Sequence, residues 1–223
     1  MFSIHYMSST FVSFCSEVEK LDLKVGSINL GQINFIMDLL RKNPSIKRVL
    51  ETGFHTGLSA ATFLDVREDI EVVSFDIFWF DYTRKAKLLL DKHYPFRNLL
   101  VAGNTAGSLQ NYLKKTKDEP IDLVFVDGGH EWPVPYFDLQ ILLSSVKQDT
   151  IIIIDDYCEA HGTHGVIRAV NAIIELGLLK DVHIMQAEDR GMIVAKRSST
   201  PFVPTVTQEE LVQQLQDISS HYS

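Results

Sequence analysis

Residues 122–132 read DLVFVDGGHEW: an acid, Asp127, directly follows four apolar residues, and His130 comes three positions later. A second apolar run, IIIIDDYCEAHG, ends in the adjacent acids Asp155 and Asp156. Three carboxylates at neighbouring strand ends repel unless a cation neutralises them, and oxygen donors suit magnesium, manganese or calcium. A divalent metal, magnesium first, held by Asp127, Asp155 and Asp156 explains the grouping. Capping of the helices that follow is the competing explanation, because Asp is a favoured helix cap. His130 carries an imidazole that titrates near neutral pH and can take the proton of a reacting hydroxyl; packing beside Trp132 is its structural alternative. Gly128 and Gly129 suit a turn with little room for side chains.

A second constellation lies earlier, in ETGFHTGLSA, where Glu51, Gly53 and Gly57 precede a helical pattern. Glycines let backbone approach a ligand closely, and a helix start offers free N–H groups. A strand-to-helix turn that needs positive φ is the bland account of the same residues. Twenty-five residues past Glu51, VVSFDIF places Asp76 where an acid hydrogen-bonds the ribose hydroxyls of a nucleoside cofactor. The spacing is G-x-x-x-G rather than the dinucleotide G-x-G-x-x-G, which disfavours a nicotinamide. An acid at the strand end can instead take the ammonium of an amino-acid-like ligand. That combination suits S-adenosylmethionine, a nucleoside with a zwitterionic tail and no phosphate.

The elements that must position these residues follow from hydrophobic patterning. Apolar, β-branched runs occur at residues 47–51, 70–75, 98–102, 121–126, 150–154, 182–185 and 191–195. Several are apolar throughout, as strands of a parallel sheet covered on both faces must be. Helix-length segments lie between them at 58–66, 82–93, 108–115, 135–146 and 166–176. The last two strands are joined by only QAEDR, too short for a crossover, so they are expected to form an antiparallel hairpin. The predicted fold is α/β, a Rossmann-like doubly wound seven-stranded sheet, mostly parallel with a C-terminal antiparallel hairpin.

Ahead of it, Ile33, Ile36, Met37 and Leu40 mark an amphipathic helix that stops at Pro44. Behind it, a proline-containing linker leads to Thr207-Gln-Glu-Glu210, a capping-box pattern before Leu211, Leu215 and Ile218. The expected organisation is an N-terminal helical segment (1–45), the cofactor-binding domain (46–197), and a linker with a C-terminal helix (198–223). The tail helix docks on its own domain or on a second copy of the chain, so a homodimer is one candidate assembly. Residues 1–25 are open to three outcomes: a lid, a dimer arm or disorder.

The chain has 223 residues, 45% of them hydrophobic and 22% charged, an ordinary balance for a globular protein with a sizeable core. A net charge of −8 argues against a nucleic-acid backbone or an anionic membrane as partner. Cys15 and Cys158 have neither metal nor redox spacing and are expected as reduced thiols. No apolar run approaches a membrane span, and the first twenty residues lack a leader's charged and apolar regions. The expected location is the cytoplasm.

With these residues in view, the sequence resembles the class I S-adenosylmethionine-dependent methyltransferases over residues 46–196. ETGFHTGLSA is similar to the E-x-G-x-x-x-G-x-S-A loop of the metal-dependent O-methyltransferases, both the catechol and caffeoyl-CoA type and the macrocin-type sugar enzymes. His55 stands where a glycine is common in the broader pattern. The resemblance implies that Glu51 and Gly53 lie beside the methionine moiety and that Ser59 contacts its carboxylate. Asp76 would bind the ribose diol, and Asn104 and Thr105 would lie near the adenine. Phe54, Gly57 and Asp127 complete the implied cofactor set. Asp127 also matches the family's metal position after the fourth strand, and Asp155 and Asp156 match its D-[DN] pair after the fifth. A metal there would chelate substrate hydroxyls and lower their pKa. The offset of His130 carries a lysine base in catechol-type enzymes and a histidine in macrocin-type ones.

Two further stretches carry weaker signals. His161 and His164, in AHGTHG, lie in a loop within reach of metal or substrate, or are solvated. Phe78, Trp79, Phe80 and Tyr82 form an adenine cover, a substrate wall or core. The leading reading is O-methylation of a hydroxyl on a small molecule, a sugar or other natural product, with His130 as base. The alternatives are a Rossmann-like oxidoreductase or hydroxylase relative, disfavoured by the glycine spacing, and a non-catalytic cofactor-binding module.

Overall fold

A computed structural model describes residues 7–21, 23, 27–158, 164–187 and 190–202, with Thr105 and Ala106 described by backbone alone. The predicted tail helix and His161 lie outside the described residues. The chain divides into two compact units, Met1–Ala102 and Gly103–Ser223.

The first unit contains α1 (Ser9–Val18), α2 (Leu30–Lys42), β1 (Arg48–Thr52), α3 (Leu58–Val66), β2 (Glu71–Asp76), α4 (Tyr82–His93) and β3 (Asn98–Ala102). β2 pairs in parallel with both β1 and β3, and Glu51 lies opposite Ser74. Val49, Leu50, Val72 and Phe75 are buried, as strands covered by helices require. In α2 the predicted stripe of Ile33, Ile36, Met37 and Leu40 is buried. A reciprocal capping box starts this helix: the Gln32 amide donates to the Asn29 side chain (2.9 Å) and the Asn29 amide to the Gln32 side chain (2.8 Å).

Within the N-terminal segment, residues 9–18 are ordered as a helix. They form α1, docked within this unit. Phe11, Phe14 and Val18 repeat at i, i+3 and i+7 and are buried. The Ser8 amide donates to Asp65 on α3 (3.0 Å), and Lys92 on α4 pairs with Glu17 at 2.6 Å.

The second unit begins with a π-helical turn (Thr105–Leu109) that runs into α5 (Gln110–Lys115). A single helix over 108–115 is thus replaced by two pieces, because Asn104 accepts the Gly107 amide (2.9 Å) and caps the turn early. β4 (Leu123–Val126), α6 (Val134–Ser145), β5 (Ile151–Ile154), α7 (His164–Glu175), β6 (Leu179–Ala187) and β7 (Arg190–Arg197) follow. β4 and β5 are parallel with Val126 opposite Ile154, so Asp127 and Asp155 leave their strands at one level. β7 is antiparallel to β6, as the short connection predicts, and it is also antiparallel to β5. The seven strands run β3-β2-β1-β4-β5-β7-β6, the predicted doubly wound sheet closed by a hairpin.

Candidate active site

The glycine turn in the first unit is built around two acids, the buried Glu51 and the half-buried Asp76. Glu51, fully buried, accepts hydrogen bonds from Ser59 (2.8 Å) and Ser74 (2.5 Å). Asn98 in turn donates to Ser74 at 2.7 Å. Asp76 directs one oxygen to the amides of Phe54 (3.0 Å) and His55 (2.8 Å) and the other to the Phe78 amide (2.6 Å). Glu51, Ser59, Gly53, Gly57 and Asp76 are therefore brought together as one constellation, while the Phe54 ring is buried.

Local backbone explains the glycines. Gly53 and Gly57 have φ of +87° and +72°, and a Cβ on Gly57 would lie 2.6 Å from the Phe54 ring. His55 also has positive φ, +50°, in a region costing a non-glycine residue about 1–3 kcal/mol. Ser74 and Asn98 did not figure in the sequence reading. Their signal was a polar residue inside an apolar strand run for Ser74 and at the head of one for Asn98. Asn104 is exposed and caps its own turn, and the Thr105 side chain lies outside the described residues.

In the second unit, donor atoms of Asp127, His130 and Asp156 lie within 4.8 Å of one another. His130 Nε2 is 2.7 Å from Asp156 Oδ2 and 3.9 Å from Asp127 Oδ1. Asp155 is not part of this converging set; it is buried and accepts the Asp156 amide through Oδ1 (2.8 Å). Both acids lie past the end of β5, and Asp156 takes a left-handed φ of +58°, so the two neighbours do not keep one direction. An adjacent pair of acids therefore divides its work, and His130 stands in the cluster where the family pattern has Asp155.

Arg190, also absent from the sequence reading, approaches Asp156 Oδ1 at 3.7 Å. The hairpin puts it there. The Tyr157 amide donates to Gly191 (2.8 Å), and a Cβ on Gly191 would meet the Tyr157 carbonyl at 2.3 Å. Knowing that β7 returns beside β5 was the missing signal. Gly165, at the start of α7, performs a similar service. Its Cβ would lie 2.3 Å from the His130 carbonyl and 2.4 Å from the Trp132 amide nitrogen, so the helix seats directly on the loop that carries His130. Trp132 stacks on Tyr136 (5.1 Å) and lies beneath the Arg168 guanidinium (3.8 Å), which sets the loop's far end.

The electrostatics follow from crowding. Burial and the neighbouring Asp127 and Asp156 charges push the Asp155 carboxyl up to about 8, and burial pushes Asp127 up to about 6. Asp127 and Asp156 push His130 up to about 10. An imidazolium cannot accept a proton. A base role for His130 therefore requires another cation to counter the two carboxylates. The carboxylate oxygens of Asp127 and Asp156 suit a divalent ion as that cation, which leaves the imidazole for the proton.

Residues 50–157 match the family model for a methyltransferase domain. No curated protein matches the chain in sequence. Among solved structures, an O-methyltransferase from Bacillus cereus in complex with S-adenosylhomocysteine is 16% identical, with a TM-score of 0.67 over 86% of this chain and 91% of that one. The O-methyltransferase TomG from Streptomyces achromogenes, in complex with S-adenosylmethionine, is 17% identical, with a TM-score of 0.68 over 86% and 91%. CalS11, a TDP-rhamnose 3′-O-methyltransferase of calicheamicin biosynthesis, is 17% identical, with a TM-score of 0.60 over 85% and 93%. At such identities the likeness is one of fold. The domain match decides against the oxidoreductase alternative. Strand order, closing hairpin and the match over residues 50–157 together identify a class I S-adenosylmethionine-dependent methyltransferase domain in this chain.

Proposed function

We propose that the protein transfers the methyl group of S-adenosylmethionine to a hydroxyl oxygen of a small molecule, a sugar or other natural product, in the cytoplasm. The acceptor oxygen attacks the methyl carbon in line, the carbon–sulfur bond breaks, and its electron pair remains on sulfur as S-adenosylhomocysteine. No covalent enzyme intermediate is needed. The turn of Glu51, Gly53, Phe54, Gly57, Ser59 and Asp76 receives the cofactor, with Asn104 and Thr105 near its adenine, inside a domain spanning 46–197. A divalent cation, magnesium first, would be held by Asp127 and Asp156, with the buried Asp155 as the third acid of the group, and would bind and acidify the acceptor hydroxyl. His130 takes the hydroxyl proton, and Asp156 orients its ring.

The observation that carries this reading is the convergence of Asp127, His130 and Asp156 within 4.8 Å in a methyltransferase domain. Its test is S-adenosylhomocysteine release with a panel of hydroxylated acceptors, with magnesium and after chelation. Turnover should fall by about 100-fold or more on chelation and return with magnesium. Undiminished turnover in chelator would remove the cation while leaving methyl transfer in place. Calorimetric binding of NAD in preference to S-adenosylmethionine would overturn the whole reading.

A further inference from the structure

His55 occupies the middle of the glycine turn with a φ of +50°, a conformation that glycine adopts without strain. Its ring is engaged at both nitrogens. Nε2 lies 2.5 Å from the Tyr82 hydroxyl at the start of α4, and Nδ1 lies 3.4 Å from Ser27 Oγ in the segment before α2. Ser27 Oγ is itself 3.0 Å from Thr56 Oγ1 on the turn. The imidazole meets Phe80 and Tyr82 edge-on, at 5.7 and 5.2 Å, and those two rings stack at 5.0 Å. The His55 amide donates to Asp76. One residue thus joins the segment before α2, the glycine turn, the end of β2 and the start of α4.

The chemistry of a neutral imidazole fits this arrangement. One ring nitrogen accepts and the other donates. Burial pushes the His55 pKa down, which favours that neutral form. With the Tyr82 hydroxyl donating to Nε2, the Nδ1 proton goes to Ser27 and the Ser27 hydroxyl remains for Thr56; this tautomer is assigned from the network.

We propose that His55 is a positioning residue for the methyl donor: its ring clasps Ser27 and Tyr82 and so holds the glycine turn in the conformation that receives S-adenosylmethionine. The proposal rests on the reading that this turn binds the cofactor. Holding a binding turn in its bound conformation raises affinity by removing the ordering that binding would otherwise require.

Four variants of the full chain separate ring from backbone: His55→Ala, His55→Gly, His55→Gln and Tyr82→Phe, with Asp76→Ala as reference. S-adenosylmethionine affinity is measured by calorimetry, and kcat and cofactor KM by S-adenosylhomocysteine release. His55→Ala is expected to weaken binding about tenfold, with kcat at saturating cofactor within about twofold. His55→Gly, which relieves the backbone but lacks the ring, should lose affinity as well. His55→Gln, which can still accept from Tyr82, should recover most of it. The double variant His55→Ala/Tyr82→Phe should bind no more weakly than His55→Ala alone, because the two groups act as one clasp.

Wild-type affinity in both His55→Ala and His55→Gly, with loss in Asp76→Ala, overturns the proposal. Wild-type affinity in all three instead overturns the cofactor reading of the turn. If His55→Ala does not fold, Tyr82→Phe decides: an unchanged cofactor KM counts against the clasp.

Discussion

Glu51 and Asp76 in the first unit direct their oxygens to serine hydroxyls and backbone amides. Asp127, Asp155 and Asp156 in the second crowd one another, with His130 and Arg190 as the cations facing Asp156. Both sets lie at carboxyl ends of strands, yet they do different work. Acids met by neutral donors fix the shape of a turn, which suits selecting a ligand. Acids that crowd one another concentrate charge, which suits holding a cation and handling a proton. A buried carboxylate is therefore informative only once its partners are known.

The sharpest way to break this division is to remove a member of the charged set. His130→Ala should lower turnover by about 10²- to 10⁴-fold, while calorimetry finds S-adenosylmethionine affinity within about twofold of wild type. Equal losses in both would mean that the two sets are not separable. Next in size is Gly165→Ala, which forces a methyl group against the backbone of His130 and Trp132. Turnover should drop by about 100-fold through misplacement of the base, and urea unfolding should show a loss of about 1–3 kcal/mol.

Asp76→Ala probes the other set. It strips an acceptor from the Phe54, His55 and Phe78 amides, so a stability loss of about 1–3 kcal/mol is expected, with weaker cofactor binding and a preserved kcat at saturation. The smallest effect is a pH dependence carried by His55, which faces Asp76, Tyr82, Ser27 and Thr56. Burial lowers its pKa below the ordinary 6.5, although the Asp76 charge opposes this. On acidification the unfolded chain takes up the proton first. The contribution to stability is therefore present above pH 6.5 and is lost as pH falls below it. Urea midpoints of His55→Gln across that range should fall less steeply than those of the wild type.

Much of the fold was legible because apolar runs and helical periodicity are local. The segments predicted at 58–66 and 82–93 are α3 and α4. Within the segment expected to be helical, α1 was not delimited although Phe11, Phe14 and Val18 share a face, since one apolar stripe does not say what will cover it. The π-helical turn was missed because Asn104 settles it through a side-chain hydrogen bond. Asp127, Asp156 and His130 were legible from residue type and position at strand ends. Arg190 and Ser74 were not, because each gains its meaning from a partner on another strand.

The sequence by itself determined the α/β class, the closing hairpin and the residues able to do chemistry, since periodicity, connection length and side-chain type need no partner to be read. Only the tertiary structure decided which acids share a centre. Asp155 and Asp156 are adjacent in the chain, yet His130 joins Asp127 and Asp156 while Asp155 is turned to the Asp156 amide. One left-handed residue just past the end of β5 makes that choice, and the resulting distances bias the charge each group carries.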